Sequence, residues 1–214
     1  MSQDAPPRRR GRPPHTELQR ASKRARIVEG VMDAVRTGGP DQSIEDLASA
    51  AGVSKPVLYD EFGGKSGLAD AVAVVMADQV QSTVIARLTG MSVVDLDAAV
   101  RSLVDALINL IDDEPHLYAF IVKTIRSSDQ GFLDNALVRV VHQRAAVLVI
   151  GATPGIDTDS VRVLTDGLFG FVFASVESWM ATRTPDRETL IDTLATVIRE
   201  GIRAGAAQLL RARQ

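Results

Sequence analysis

Residues 44–59, Ile44-Glu45-Asp46-Leu47-Ala48-Ser49-Ala50-Ala51-Gly52-Val53-Ser54-Lys55-Pro56-Val57-Leu58-Tyr59, decide how this chain reads. Ser43 stands just before Ile44, Leu47 and Ala48, with Asp46 three residues on, an approximate capping-box start to a short helix that ends near Ala51. Gly52 breaks it. Ser54 can then cap another short helix, with Pro56 in its first turn, where proline is tolerated, and Val57, Leu58, Tyr59 and Phe62 following. Gly63-Gly64 closes that helix.

Upstream, from about Ser22, Ile27, Val31, Ala34 and Val35 recur at helical spacing until Gly38-Gly39-Pro40 stops them. Two short helices joined by a tight turn, behind a longer supporting helix, describe a helix-turn-helix, whose second short helix enters a DNA major groove. Ala48 is small enough for the short helices to approach, Gly52 permits the turn, and Leu47, Val53 and Leu58 form the core beneath.

The rest of the composition agrees with a helical protein. Of 214 residues, 45% are hydrophobic and only 4% aromatic, so aliphatic side chains must build the core, and no strand alternation competes. The expected fold class is all-α. The absence of cysteine excludes a disulfide scaffold, a thiolate metal site and a cysteine nucleophile. With an Arg- and Pro-rich start rather than an apolar leader, and no segment read as a membrane span, the expected location is cytoplasmic, with no membrane partner.

The net charge of −3 conceals a polarity. Residues 1–26 hold eight basic and two acidic residues, net +6, and the remaining 188 hold sixteen basic and twenty-five acidic, net −9. Such a chain presents its amino end to a polyanion and keeps its body off it. Pro6, Pro7, Pro13 and Pro14 keep the start from forming a regular helix, so residues 1–21 are expected to be a flexible basic arm.

The run from Ile44 to Tyr59, with Phe62 and Lys65, resembles the DNA-binding domain of the TetR family of transcriptional regulators. The resemblance covers about residues 25–70 directly. It implies that Lys55, Pro56 and Val57, at the start of the recognition helix, face base edges. Ser43, Ser54, Tyr59 and Lys65 are implied as phosphate contacts, which position the domain without carrying much sequence information. Two departures from the family pattern bear on DNA preference: Val57 stands where Thr or Ser is common, and Asp60-Glu61 stand where an aromatic is frequent. The acids either accept from cytosine amino groups or point away. In the arm, Arg10-Gly11-Arg12-Pro13 resembles an AT-hook core, and with Arg8 and Arg9 alongside, Arg8, Arg9, Arg10 and Arg12 are candidates for minor-groove contact.

The expected division is an arm at 1–21, a helix-turn-helix domain at 22–70, and a larger helical ligand-binding and dimerisation domain at 71–214. Within that body, helices are expected near 66–88, 93–111, 116–127, 132–150, 158–182 and 186–212, with breaks at Gly90, Pro115, Gly131, Pro154-Gly155 and Pro185. The helix at 158–182 is apolar around most of its circumference and must be covered on nearly all sides. The last helix puts Leu190, Leu194, Ile198, Ile202 and Leu209 on one face, with Gly201 and Gly205 allowing a neighbour close. The resemblance implies a homodimer through these last two helices and a small-molecule effector between the middle ones. Candidate pocket residues are Leu103, Leu107, Phe120, Ile121, Thr124, Val138, His142, Phe169 and Phe173, an apolar set with a few polar handles.

Other signals are weak. Gly64-Lys65-Ser66 looks like the end of a phosphate-binding loop, but Tyr59 stands where its first glycine belongs and no strand precedes it. Gly167 and Gly170 lack the third glycine of a dinucleotide fingerprint. His15, His116 and His142 have no metal-ligand spacing, and Asp112-Asp113-Glu114 beside His116 reads as an acidic helix end. No metal or cofactor is expected. With no nucleophile, base and orienting group in view, the expectation is a regulator of double-stranded DNA rather than an enzyme. The rivals are a regulator with no inducer, or a helical carrier or enzyme using the body's cavity.

Overall fold

The computed structural model describes residues 17–89, 96–127 and 158–211. Those residues form eight α-helices and no strand: α1 (Glu17–Gly38), α2 (Ile44–Ala50), α3 (Lys55–Phe62), α4 (Lys65–Leu88), α5 (Leu96–Asp113), α6 (Pro115–Arg126), α7 (Thr158–Thr182) and α8 (Arg187–Arg211). The fold is all-α, with a helix-turn-helix at its amino end. The helix expected at 132–150, with Val138 and His142 on it, lies outside the described residues, as do Arg8, Arg9, Arg10 and Arg12.

One boundary differs from the sequence reading. The first helix begins at Glu17, so residues 17–21 are helical rather than part of an arm ending at 21. The last proline of the start is Pro14, and an acid in the first turn suits the positive end of the helix dipole. The fourth helix runs unbroken through residue 70. By length and composition Lys65–Arg87 also passes as a membrane span, which the sequence reading did not find. Here its apolar residues Leu68, Ala69, Val72, Ala73 and Met76 are buried against α1 and α6, as in a core helix.

Two clusters of buried side chains organise the molecule. The first joins Ile27, Val31 and Val35 of α1 with Leu47, Leu58 and Phe62 of the short helices, the α4 residues above, and Leu117, Phe120, Ile121 and Ile125 of α6. The second joins Val100, Val104, Ile108 and Ile111 of α5 with Val176 and Trp179 of α7, Leu190, Ile191 and Leu194 of α8, and Tyr118 and Val122 of α6. Helix α6 thus enters both. In α8, the neighbour that Gly201 and Gly205 admit is α7 of the same chain: a Cβ at either glycine would come within 3.1 Å of Leu168 or Leu164.

Ion pairs stitch α8 to α5 and α5 to α4. Arg101 reaches Glu188 and Asp192, Arg203 reaches Asp97, and Asp105 is shared by Arg87 and Arg187. Burial pushes the Asp105 carboxyl up, but the two guanidinium groups outweigh it and hold it below the ordinary carboxylate range. A depressed folded-state pKa contributes stability that is complete above the unfolded value of about 4 and is lost as pH falls through the folded value. Asp105→Asn is therefore expected to lower the urea midpoint at about pH 7, and the gap from wild type is expected to close as pH falls well below about 4. A gap of constant size across that range would show that the charge of Asp105 contributes nothing.

Candidate nucleic-acid interface

The turn between α2 and α3 depends on Gly52, whose φ of 67° lies in the left-handed region that a side chain disfavours. At Gly30, where α1 passes the end of α2, a Cβ would lie 2.9 Å from the Ala51 Cα, so glycine is needed for that approach. Leu47, Ala48 and Leu58 are buried beneath the turn, and Val53 packs on them.

The capping box read from the sequence is present. Ser43 Oγ accepts from the Asp46 N–H at 3.1 Å, and the Asp46 carboxylate accepts from the Ser43 N–H at 3.3 Å. Ser54 occupies the cap position of α3 but its side chain makes no capping hydrogen bond. The two serines therefore differ: one hydroxyl is held by its own helix, and the other is available at a helix start.

On the outward side of α3, Lys55, Pro56, Tyr59 and Asp60 are exposed. Lys55 is paired with Glu45 of α2, which raises its pKa and lowers that of Glu45, and its ammonium stands 5.9 Å from the Tyr59 ring centroid. An ion pair this exposed is easily exchanged for a phosphate or a base edge. Tyr59 keeps 47% of its surface exposed, a large aromatic offered to solvent.

Two sequence assignments sit differently. Val57 is half-buried and packs against the first core cluster, because its position on α3 lies between the outward face and the buried Leu58. Lys65 is also half-buried: its ammonium donates to the Gln42 carbonyl at 2.7 Å and lies 5.6 Å from the Phe120 ring centroid. Of the two acids, Asp60 is exposed, whereas Glu61 folds back onto α1. Lys23 donates to its carboxylate at 2.6 Å and holds its pKa below the ordinary range. Lys23 and Arg24 escape sequence reading because their contacts span 38 and 37 residues, with no local spacing to announce them.

The described pocket candidates divide between the two cores. Phe120 and Ile121 are buried in the cluster under the helix-turn-helix, and the buried Thr124 hydroxyl donates to the Phe120 carbonyl at 2.7 Å. Leu107 and Phe173 pack on the second cluster, Leu103 is half-buried on α5, and Phe169 stacks on Phe173 with centroids 6.3 Å apart. The physical reason is the helical period: residues 120, 121 and 124 share the face of α6 that covers the head. An open groove of about 420 Å³ lies instead at the α7–α8 turn, lined by Phe171, Ala174, Trp179, Pro185 and Leu190, and contains none of the candidates. The acidic run near His116 makes no common site either. Glu114 pairs with Arg36, Asp112 with Arg183, and His116 Nδ1 lies 2.9 Å from the Arg36 carbonyl.

Removing each cap hydroxyl separates its roles. Ser43→Ala is expected to cost about 1 kcal/mol of stability through removal of the cap, whereas Ser54→Ala should leave the urea midpoint unchanged. Equal losses in the two variants would contradict the cap geometry described above.

Residues 35–72 match the family model of bacterial regulatory proteins, tetR family. An uncharacterized HTH-type transcriptional regulator of Mycobacterium tuberculosis is 26% identical over 188 residues, covering 86% of this chain and 79% of its own. The HTH-type transcriptional regulator AlkX of the same organism is 27% identical over 178 residues, covering 83% and 73%. Among solved structures, a TetR transcriptional regulator from Rhodococcus sp. RHA1 superposes with a TM-score of 0.63 at 18% identity, over 88% of this chain and 97% of that one. RolR in complex with resorcinol superposes at 0.62 and 16% identity, over 89% and 96%. Residues 35–72 thus match the DNA-binding domain of the tetR family, most of the chain is similar to HTH-type transcriptional regulators, and its fold is that of solved TetR-family structures.

Proposed function

We propose that the protein is a homodimeric repressor that binds a palindromic operator in double-stranded DNA and is released by a small apolar or amphipathic ligand. The observation that carries the reading is the outward face of α3, where Lys55, Pro56 and Tyr59 stand exposed above a fully buried Leu58. Pro56 and Lys55 meet base edges, while Ser43, Ser54, Tyr59 and the start of α4 near Lys65 meet phosphates. Val57 contributes with the part of its surface that the core leaves open. The protein acts at the chromosome in the cytoplasm, the head through about residue 70 reading DNA and the body beyond it carrying the effector and the dimer contact.

Dimerisation is supported by α7. Val163 is 69% exposed, and Gly167, Ala174 and Ser178 are exposed along the same helix, an apolar and small-residue strip that a second copy would cover. Two recognition helices about 34 to 36 Å apart then read one face of the duplex. A ligand role is supported by RolR, a structural neighbour whose solved complex holds resorcinol. In this chain Leu103, Leu107, Phe169 and Phe173 are the remaining described candidates for the effector. Bound there, a ligand would act on the DNA-reading head through α6, which touches both cores.

Selection of bound sequences from randomised duplex DNA at about 0.15 M salt, where nonspecific binding is weak, is expected to enrich a palindrome. On that palindrome Tyr59→Ala is expected to weaken binding to all sequences, and Lys55→Ala to weaken it by roughly ten-fold or more with altered preference. No enrichment, or full binding by both variants, would favour a carrier or enzyme reading of the body.

The arm has its own test. Because α1 begins at Glu17, the deletion that spares the helix removes residues 1–14. If Arg8, Arg9, Arg10 and Arg12 lie along the groove, the deletion should reduce the slope of log K against log salt by about 0.9 for each phosphate that these arginines neutralise. An unchanged slope would remove the arm from the interface.

A further inference from the structure

The carboxyl end of the recognition helix carries a charge that DNA binding disfavours. Glu61 lies two residues beyond Tyr59, on a helix whose outward face is offered to a polyanion. Yet its carboxylate does not face outward. Lys23, from the amino end of α1, donates to Glu61 Oε1 at 2.6 Å, and the carboxylate keeps only 24% of its side-chain surface exposed. Arg24, the next residue of α1, donates to the Glu61 carbonyl and lays its guanidinium 4.1 Å from the Phe62 ring centroid. That guanidinium sits at the negative end of the α3 dipole, against one of its last-turn carbonyls. The amino end of the first helix, expected from about Ser22, is thus docked on the end of α3.

We propose that Lys23 is a positioning residue for DNA recognition, which holds Glu61 back against α1 and masks its charge so that the end of α3 approaches the phosphate backbone without repulsion. The proposal rests on the DNA-binding reading above. It accounts for one of the two acids at the end of the recognition helix: Glu61 is drawn back onto α1, while Asp60 stays exposed beside Tyr59. Arg24 supplies the contact that keeps the two helix ends together, so that Lys23 and Glu61 remain within reach of each other.

The test is a double-mutant cycle on the selected operator with Lys23→Met, Glu61→Gln and the double variant. An unmasked carboxylate about 7 Å from a phosphate in water opposes binding by about RT, so Lys23→Met is expected to weaken binding roughly threefold per subunit at about 0.05 M salt. That deficit should shrink toward about 0.2 M salt as the Debye length shortens, whereas a misplaced helix would stay deficient. Glu61→Gln should restore affinity in the Lys23→Met background yet change it by less than about twofold in the wild type, because there the acid is already masked. Equal gains from Glu61→Gln in both backgrounds, or a deficit that ignores salt, would overturn the proposal.

A second readout needs no DNA. In the free protein, a carbon-detected NMR titration should find the Glu61 carboxyl below the ordinary glutamate range, and Lys23→Met should move it up. An unmoved Glu61 overturns the mask by itself. A mask that titrates as expected, in a protein that binds no duplex, overturns instead the DNA reading on which it rests.

Discussion

Helix α6 has to satisfy two cores at once, and most of the arrangement follows from that. Its residues Leu117, Phe120, Ile121 and Ile125 recur at steps of three, one and four and are buried beneath the helix-turn-helix. Tyr118 and Val122, one residue out of phase, are buried against α5, α7 and α8. A single turn of rotation or a small tilt of this helix cannot preserve both contacts, because packed interiors have few voids to absorb it. Polar contacts reinforce the two-sidedness. On the head side Arg36 grips Glu114 in a two-nitrogen fork at 2.7 and 3.0 Å, and Lys123 reaches Asp41 at 2.8 Å. On the body side Glu177 accepts from the Tyr118 hydroxyl at 2.9 Å and from Arg126 at 2.7 Å. Burial, and then the Glu177 carboxylate, push the Tyr118 pKa up, so the phenol stays a donor across the working pH range.

On the proposed reading, this sets how a ligand in the body would act on the DNA-reading head. The fork from Arg36 is charge-assisted and partly shielded, and Glu114 raises the Arg36 pKa despite opposing burial, so this contact is firm. The Lys123–Asp41 pair, exposed on both sides, is worth far less. A displacement of α6 would therefore carry the end of α1 with it and slide past the α1–α2 loop. The head moves as a unit because its interior is aliphatic and close-packed, from Ile27 through Leu47 and Leu58 to Leu68, with each of these residues at most 2% exposed.

The local devices of the head were legible in the sequence because they are local. Ser43 with Asp46 three residues on, Gly52 in the turn and Gly63 at the end of α3 each encode a backbone geometry within a few residues, and each is found in place. The breaks at Pro154-Gly155 and Pro185 likewise bracketed α7, found at Thr158–Thr182. The site was less legible where it depends on partners far along the chain. Nothing near Lys65 announces that its ammonium will meet the Gln42 carbonyl and the face of Phe120, 55 residues later. Phe120 and Ile121 looked like pocket residues since an apolar face does not say which of two cores it will enter. The start of α1 was misplaced for a related reason. Residues 17–21 resemble the end of a basic arm by composition, yet they continue the helix that carries Lys23 and Arg24 to α3.

The same docking gives the charge asymmetry of the chain a finer meaning. Eight basic residues in the first 26 could all serve one purpose, attraction to a polyanion, and by net charge they do. Six of them fall into two groups. Arg8, Arg9, Arg10 and Arg12 precede Pro13 in sequence and are the ones proposed for groove contact. Lys23 and Arg24 are committed to the end of α3, where they neutralise a carboxylate and a helix dipole of the protein itself. On the proposed reading, charge that attracts DNA and charge that lets the recognition helix approach it are therefore separate populations, about ten residues apart in sequence. Adding cations to the first group would raise affinity for any duplex, whereas the second group acts within the protein, at the end of α3 opposite Lys55 and Pro56.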